Sequence, residues 1–284
     1  MSISTKITET ILFREVFCSS RLSPKGSSKL GVLYFRKHRN YAGMCMKIAS
    51  NLDSYGSISK NGAAVGRVVL PATKEYTREA IQSIKSGKVI AVPTDTIYGF
   101  ACDACSKEAV NRIYEIKGRK LTSPLAICVG DVPDVMRFAV TYHLPETLLE
   151  TLLPGPVTVV LRRGESSILE KSLNPGVDSV GIRVPDSDFI RNIARGSGSA
   201  LALTSANLSG HPSSVSVDDF KHLWEHCAYV FDGGKLPMGR AGSTIVDLTI
   251  PGKYKIIRPG SAREDTVAIL ERHYLVEEED ADSA

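Results

Sequence analysis

Four polar segments and one isolated arginine carry the side-chain types that bind and move small anions. Pro93-Thr94-Asp95-Thr96-Ile97-Tyr98-Gly99 closes an apolar run and offers two hydroxyls, a carboxylate and a phenol. Such a set can hold a small polar ligand, although the same letters spell a Pro-Asp turn. Lys117-Gly118-Arg119-Lys120 ends a helical pattern, where the helix dipole alone favours cations. The sharper reading is that Gly118 turns the chain so that Lys117 and Arg119 both reach a phosphate, the arginine as a planar fork and the lysine as a point charge. Thr204-Ser205-Ala206-Asn207-Leu208-Ser209-Gly210 clusters hydroxyls with a carboxamide, suited to neutral hydrogen bonding with a nucleotide or an amino acid, or to an ordinary turn. Gly239-Arg240-Ala241-Gly242-Ser243-Thr244 leads into one strand pattern, and Arg258-Pro259-Gly260 ends another. Arg183 lies inside a strand-like stretch, where a charge is costly unless it is paired or faces a site.

The missing motifs narrow the chemistry. The chain has no GxxxxGK[ST], no complete GxGxxG and no GxSxG, and the histidine nearest these segments, His211, sits in a GHP turn. A set of Thr, Ser, Asn, Lys and Arg without an obvious nucleophile binds phosphates and carboxylates and promotes reaction by alignment and charge neutralisation. Cys102 and Cys105 form a CxxC, and His222, His226 and Cys227 form an HxxxHC, but more than a hundred residues separate the two halves and no second CxxC exists. Neither a zinc site nor a redox pair is therefore expected.

The elements that must position these segments alternate between strand and helix patterns from about Arg67, which predicts an α/β domain. Strands are predicted at 88–94, 124–129, 157–161, 180–184, 201–204, 229–231, 244–248 and 254–257. Helices are predicted at 77–86, from Ser106 to about Gly118, and at 145–153, 187–194, 216–227 and 263–274. Several connections are too short for a helical crossover, so the sheet should mix parallel and antiparallel pairs. The polar segments lie at strand ends, where α/β sheets build their sites.

The chain has 284 residues, of which 43% are hydrophobic and 23% charged, with a formal charge of +4. That composition excludes global disorder, and no run of 18 apolar residues suggests a membrane span. The basic excess belongs to the N-terminus: residues 1–50 carry nine Lys and Arg against two Glu, a net +7, while the remainder carries a net −3. Between Val16 and Leu52 no acid occurs, the pattern of a mitochondrial or plastid transit peptide, or else of a disordered leader or RNA-touching arm. A cytoplasmic form is compatible with the same sequence. Glu277, Glu278, Glu279, Asp280 and Asp282 form an acidic tail. The expected organisation is a basic leader over 1–65, one catalytic domain over 66–275 and a tail over 276–284. Six cysteines without a secretory signal are expected as thiols.

KVIAVPTDTIYGF, KGRK with PLAICV, LLPGPVT, SVGIRVP, LTSANLSG, GSTIVD and IIRPG occur in that order from about Arg67 to Tyr274. Together they closely resemble the YrdC-type threonylcarbamoyl-adenylate synthases. The resemblance implies a single domain with a twisted, mixed sheet, flanking helices and a positively charged concave surface. It also implies a nucleotidyltransferase reaction in which L-threonine, bicarbonate and ATP give threonylcarbamoyl-AMP and pyrophosphate, with Mg²⁺ on the phosphates. A partner transferase then modifies the adenosine beside the anticodon of tRNA, so that tRNA is met indirectly and no membrane is involved. By resemblance the catalytic residues are Lys117, Arg119, Ser205 and Asn207. L-threonine contacts are implied at Thr96, Arg183, Ser205 and Ser243, with Arg183 on the carboxylate. ATP contacts are implied at Lys117, Arg119, Ser123, Ser179, Asn207 and Arg258. Cys128 stands where some relatives have a histidine, and no segment resembles the extra C-terminal domain of others. Two rivals remain: an RNA-binding or translation-associated module without turnover, and another carbamoyl-transfer enzyme of the kind found within hydrogenase-maturation proteins. The near-neutral domain argues against the first, and the lack of zinc-finger and acylphosphatase-like segments argues against the second.

Overall fold

The computed structural model describes residues 68–278, apart from positions 121, 122, 166 and 238. The basic leader and most of the acidic tail lie outside the described residues. Among those described, eleven strands form one mixed sheet. They are β1 (Val69–Pro71), β2 (Ile90–Val92), β3 (Gly99–Asp103), β4 (Ala126–Cys128), β5 (Val157–Arg162), β6 (Ser179–Arg183), β7 (Leu201–Ser205), β8 (Val230–Asp232), β9 (Thr244–Asp247), β10 (Lys253–Arg258) and β11 (Val276–Glu277). Their order across the sheet is β1-β8-β2-β3-β7-β4-β6-β5-β9-β10-β11. Parallel pairs (β4 with β6, β5 with β9) alternate with antiparallel ones (β3 with β7, β7 with β4, β6 with β5), as the short connections require.

Side-chain alternation assigns each strand residue to one of two cores. Phe100, Cys102, Ile127, Val159, Ile182 and Ala202 face a layer that includes α2 (Lys107–Lys117), α3 (Leu148–Leu152) and α5 (Arg263–Arg272). Ile90, Val92, Ala101, Cys128, Leu201, Leu203 and Phe231 face α1 (Thr77–Lys85) and α4 (Asp188–Ser197). The second layer is incomplete. On that same face Ala126 of β4, Gly181 of β6 and Val160 of β5 are only half-buried although their strands lie inside the sheet, so part of the face is uncovered.

Two elements differ from the sequence expectation. Gly99–Asp103 is a strand paired antiparallel with β2, so the Pro93–Gly99 segment is a hairpin connection. Residues Val217–His226, expected as an α-helix, are a 3-10 helix with non-helical geometry at Phe220. Its start is a capping box: the Asp219 carboxylate accepts the backbone N–H groups of Ser216 at 3.1 Å and Val215 at 2.8 Å. Among the described residues, no helix is long and apolar enough to cross a membrane, and no three His, Cys, Asp or Glu side chains converge as metal ligands. Cys102, Cys128 and Cys227 are buried free thiols, and Cys105 is half-buried.

Candidate active site

The uncovered part of the sheet is a floor of small side chains surrounded by cations. Gly181 pairs with Ala126 and Val160, and Ala126 with Leu203, while Gly99 pairs with Ser205 two positions further along β7. A β-carbon on Gly181 would lie 3.0 Å from Thr158 Cγ2 and 3.5 Å from Ala126 Cβ, so the strands meet closely there. Ser179 and Arg183 stand on this face two residues either side of Gly181, because successive strand residues point to opposite faces.

Arg183 resolves the cost of its burial through Asp95. Its Nη2 donates to Asp95 Oδ1 at 2.6 Å and to Thr96 Oγ1 at 3.4 Å. Asp95 comes from the β2–β3 connection, which Thr94 shapes: its Oγ1 donates to Ile97 O at 2.8 Å and accepts Thr96 N–H at 3.1 Å. Thr96 has no exposed surface, so in this state its hydroxyl braces Arg183. The phenol offered by the same segment has another task. Tyr98 is fully buried against Phe220, and its hydroxyl donates to Gly234 O at 2.7 Å and accepts Gly233 N–H at 2.9 Å.

At the end of α2, Gly118 takes a left-handed conformation with φ 55, and Lys117 and Arg119 diverge. Lys117 is 2% exposed. Its Nζ donates to Ser205 O at 2.5 Å and Asn207 O at 2.7 Å, with Asn207 Oδ1 at 3.3 Å and Ser205 Oγ at 3.4 Å. Burial, and secondarily Arg119, pull its pKa down to about 7. Asn207 is equally engaged: its amide donates to Leu208 O at 2.9 Å and His211 O at 2.6 Å. Lys117, Ser205 and Asn207 therefore form one rigid joint between α2 and the loop after β7. Arg119 Nε and Nη2 donate to Ser123 O at 3.0 Å and Pro124 O at 2.8 Å, so among the described residues its charge meets carbonyls and no carboxylate. Asn174, which sequence reasoning missed, holds this strand entrance by accepting Leu125 N–H at 2.6 Å and donating to Leu125 O at 2.9 Å. A buried Asn beside Pro and Gly was the available signal.

Across the floor, Arg258 Nη2 donates to Ser243 O at 2.9 Å, and Ser243 Oγ lies 2.8 Å from Thr158 Oγ1. A β-carbon on Gly260 would fall 2.2 Å from Ser243 C and 2.3 Å from Thr244 N, so only glycine lets the two segments touch. Burial first, then Arg183 and Arg119, hold the Arg258 pKa below its usual range, which places the three guanidiniums in one field. Cys128 is in register with Arg183 but fully buried beneath the helical layer, with its pKa raised to about 12 by burial. In this state it is a core thiol.

A Sua5/YciO/YrdC family model, described as telomere recombination, matches residues 82–260. The chain belongs to the Sua5/YciO/YrdC family. This family member is 48% identical over 223 residues to the threonylcarbamoyl-AMP synthase of Bos taurus, covering 76% of this chain and 80% of that one. It is 48% identical to the Homo sapiens protein of the same name, covering 70% and 72% respectively. Pyrococcus abyssi Sua5 complexed with L-threonine superposes with a TM-score of 0.62 at 29% identity, over 77% of this chain. The chain spans 65% of that Sua5, slightly under two thirds. The Escherichia coli YciO structure, at 22% identity and a TM-score of 0.58, shares the fold.

Proposed function

We propose that this Sua5/YciO/YrdC chain is a threonylcarbamoyl-AMP synthase, converting L-threonine, bicarbonate and ATP to threonylcarbamoyl-AMP and pyrophosphate. The observation that carries the reading is the small-residue floor at Gly181, with the Arg183–Asp95 pair on one side and the uncompensated guanidiniums of Arg119 and Arg258 around it. Relatives named for this reaction, and a neighbour complexed with L-threonine, support it.

In the reaction the threonine amine, as its neutral form, attacks the carbon of bicarbonate, one C–O bond breaks and water leaves to give the carbamate, and a carbamate oxygen then attacks the α-phosphorus as pyrophosphate leaves. Each step gathers anions, so the chain's contribution is clamping and alignment. Arg183 holds the amino-acid carboxylate, and Ser243 adds a contact from the Arg258 side. Arg119 and Arg258 take the nucleotide phosphates, with Ser123 and Ser179 lining the approach. Lys117 and Asn207 fix the backbone that frames them. Magnesium would come bound to the phosphates and offset their charge, since no three His, Cys, Asp or Glu side chains converge among the described residues. The product supplies a transferase that modifies tRNA beside the anticodon. The acid-poor leader is proposed as a mitochondrial or plastid address.

Incubation with ATP, L-threonine and bicarbonate, followed by mass analysis, should yield threonylcarbamoyl-AMP, and none when threonine is omitted. Salt-dependent tRNA binding without such turnover would replace this reading with an RNA-binding one.

A further inference from the structure

The Asp95–Arg183 pair is more deeply buried than a surface ion pair and less fully bonded than a purely structural one. Its side chains are 9% and 7% exposed. Asp95 Oδ1 accepts Arg183 Nη2, and among the described residues Oδ2 accepts only Asp186 N–H at 3.1 Å. Arg183 Nε is buried without a partner among the described residues. A carboxylate accepts about four hydrogen bonds and a guanidinium donates five, so both groups keep unused capacity. Taking such a pair out of water is costly unless further bonds complete it.

The pair also sets a condition on what can complete it. A lone anion arriving at Arg183 meets the charge of Asp95 and gains less from a pair that is already neutral than it would from a free guanidinium. A free α-amino acid brings an anion and a cation at a separation fixed by two covalent bonds, and can bond both groups at once. We infer that Asp95 is a specificity-determining residue that accepts the α-ammonium of the amino-acid substrate while Arg183 takes its carboxylate. The site thereby admits a zwitterion and rejects the same molecule without its amine. The inference rests on the L-threonine reading proposed above and adds to it a named acceptor for the amine. Thr94 and Thr96 support it from behind: Thr96 Oγ1 meets Arg183 Nη2 at 3.4 Å and Thr94 Oγ1 at 3.1 Å, which fixes both members of the pair.

The test is isothermal titration of the full chain, with ATP present, against L-threonine and against β-hydroxybutyrate, which is threonine without its amine. Wild type should bind L-threonine roughly 10- to 100-fold more tightly than the analogue, as one charge-assisted hydrogen bond implies. Asp95→Asn should lose that factor for L-threonine and bind the analogue as well as wild type or better. A proportional loss for both ligands would make Asp95 an orienter of Arg183 alone and overturn the inference. If the variant fails to fold, the wild-type ratio decides, and a ratio near one overturns it. Failure of wild type to bind L-threonine at all strikes the amino-acid reading itself and takes this inference with it. Tight L-threonine binding without preference for the amine overturns this inference alone.

Discussion

The ammonium of Lys117 donates to four oxygens, none of them a carboxylate, inside a residue only 2% exposed. Its folded pKa of about 7 lies below the unfolded value of about 10.4. Between those pH values the unfolded chain binds more protons, so unfolding becomes harder as pH rises across that window. The four acceptors favour the charged form and act the other way. Urea titrations of wild type and Lys117→Met near neutrality and about 2 units higher should show the wild-type advantage growing with pH, on the order of 1–3 kcal/mol. A difference that stays constant would mean that Lys117 titrates as a free lysine does. The KGRK spacing was legible in the sequence, and so was the need of Arg183 for a partner. The direction of each side chain was not, since Lys117 turns inward to the Ser205–Asn207 loop while Arg119 turns to the entrance of β4. A sequence places side chains on a helix turn; whether each reaches ligand or carbonyl depends on what packs opposite.

The floor at Gly181 sits where two helices stop short of covering a sheet. Replacing Gly181 by Val would set a branched side chain there, with its β-carbon about 3.0 Å from Cγ2 of Thr158, a buried β-branched side chain that must give by a few tenths of an ångström, and the rest over half-exposed surface. The fold should survive with a small shift of its urea midpoint, while kcat/KM for threonylcarbamoyl-AMP formation falls by roughly tenfold or more through misalignment of reactants. Turnover within about twofold of wild type would show that the reaction does not occur over this floor. Strand positions with long β-branched runs were legible, as in VTVVL. GFACD was missed because Gly, Ala and Cys buried on both faces leave no alternation to detect. The 3-10 helix carries a signal that went unused: its buried residues Val217, Phe220 and Leu223 recur every three positions, the period of that helix, where an α-helix would alternate steps of three and four.

Across the whole molecule, the formal charge of +4 divides into a basic leader, an acidic tail and a stretch from Asn51 to Val276 at only +2. The first residues of that tail form β11, where Val276 pairs with Lys253 and Glu277 with Tyr254. Among the described residues, two hydrophobic clusters are built within 68–278. A chain trimmed to residues 66–278 should therefore fold and keep L-threonine-dependent pyrophosphate release within about twofold of the full chain. Loss of soluble protein on trimming would assign the leader a folding role. Within the domain, Arg119 and Arg258 rest on carbonyl oxygens, and burial first, then Arg183 and Arg119, hold the Arg258 pKa below its usual range. The protein thus gathers like charges at this site, and the pyrophosphate released in the reaction is the polyanion best able to offset them. Pyrophosphate should linger as an inhibitor and raise the thermal midpoint at constant ionic strength, by an amount equivalent to about 2.7 kcal/mol at 100 times its Kd. A pyrophosphatase that hydrolyses the released product would then prevent its rebinding and keep these guanidiniums available to the next ATP.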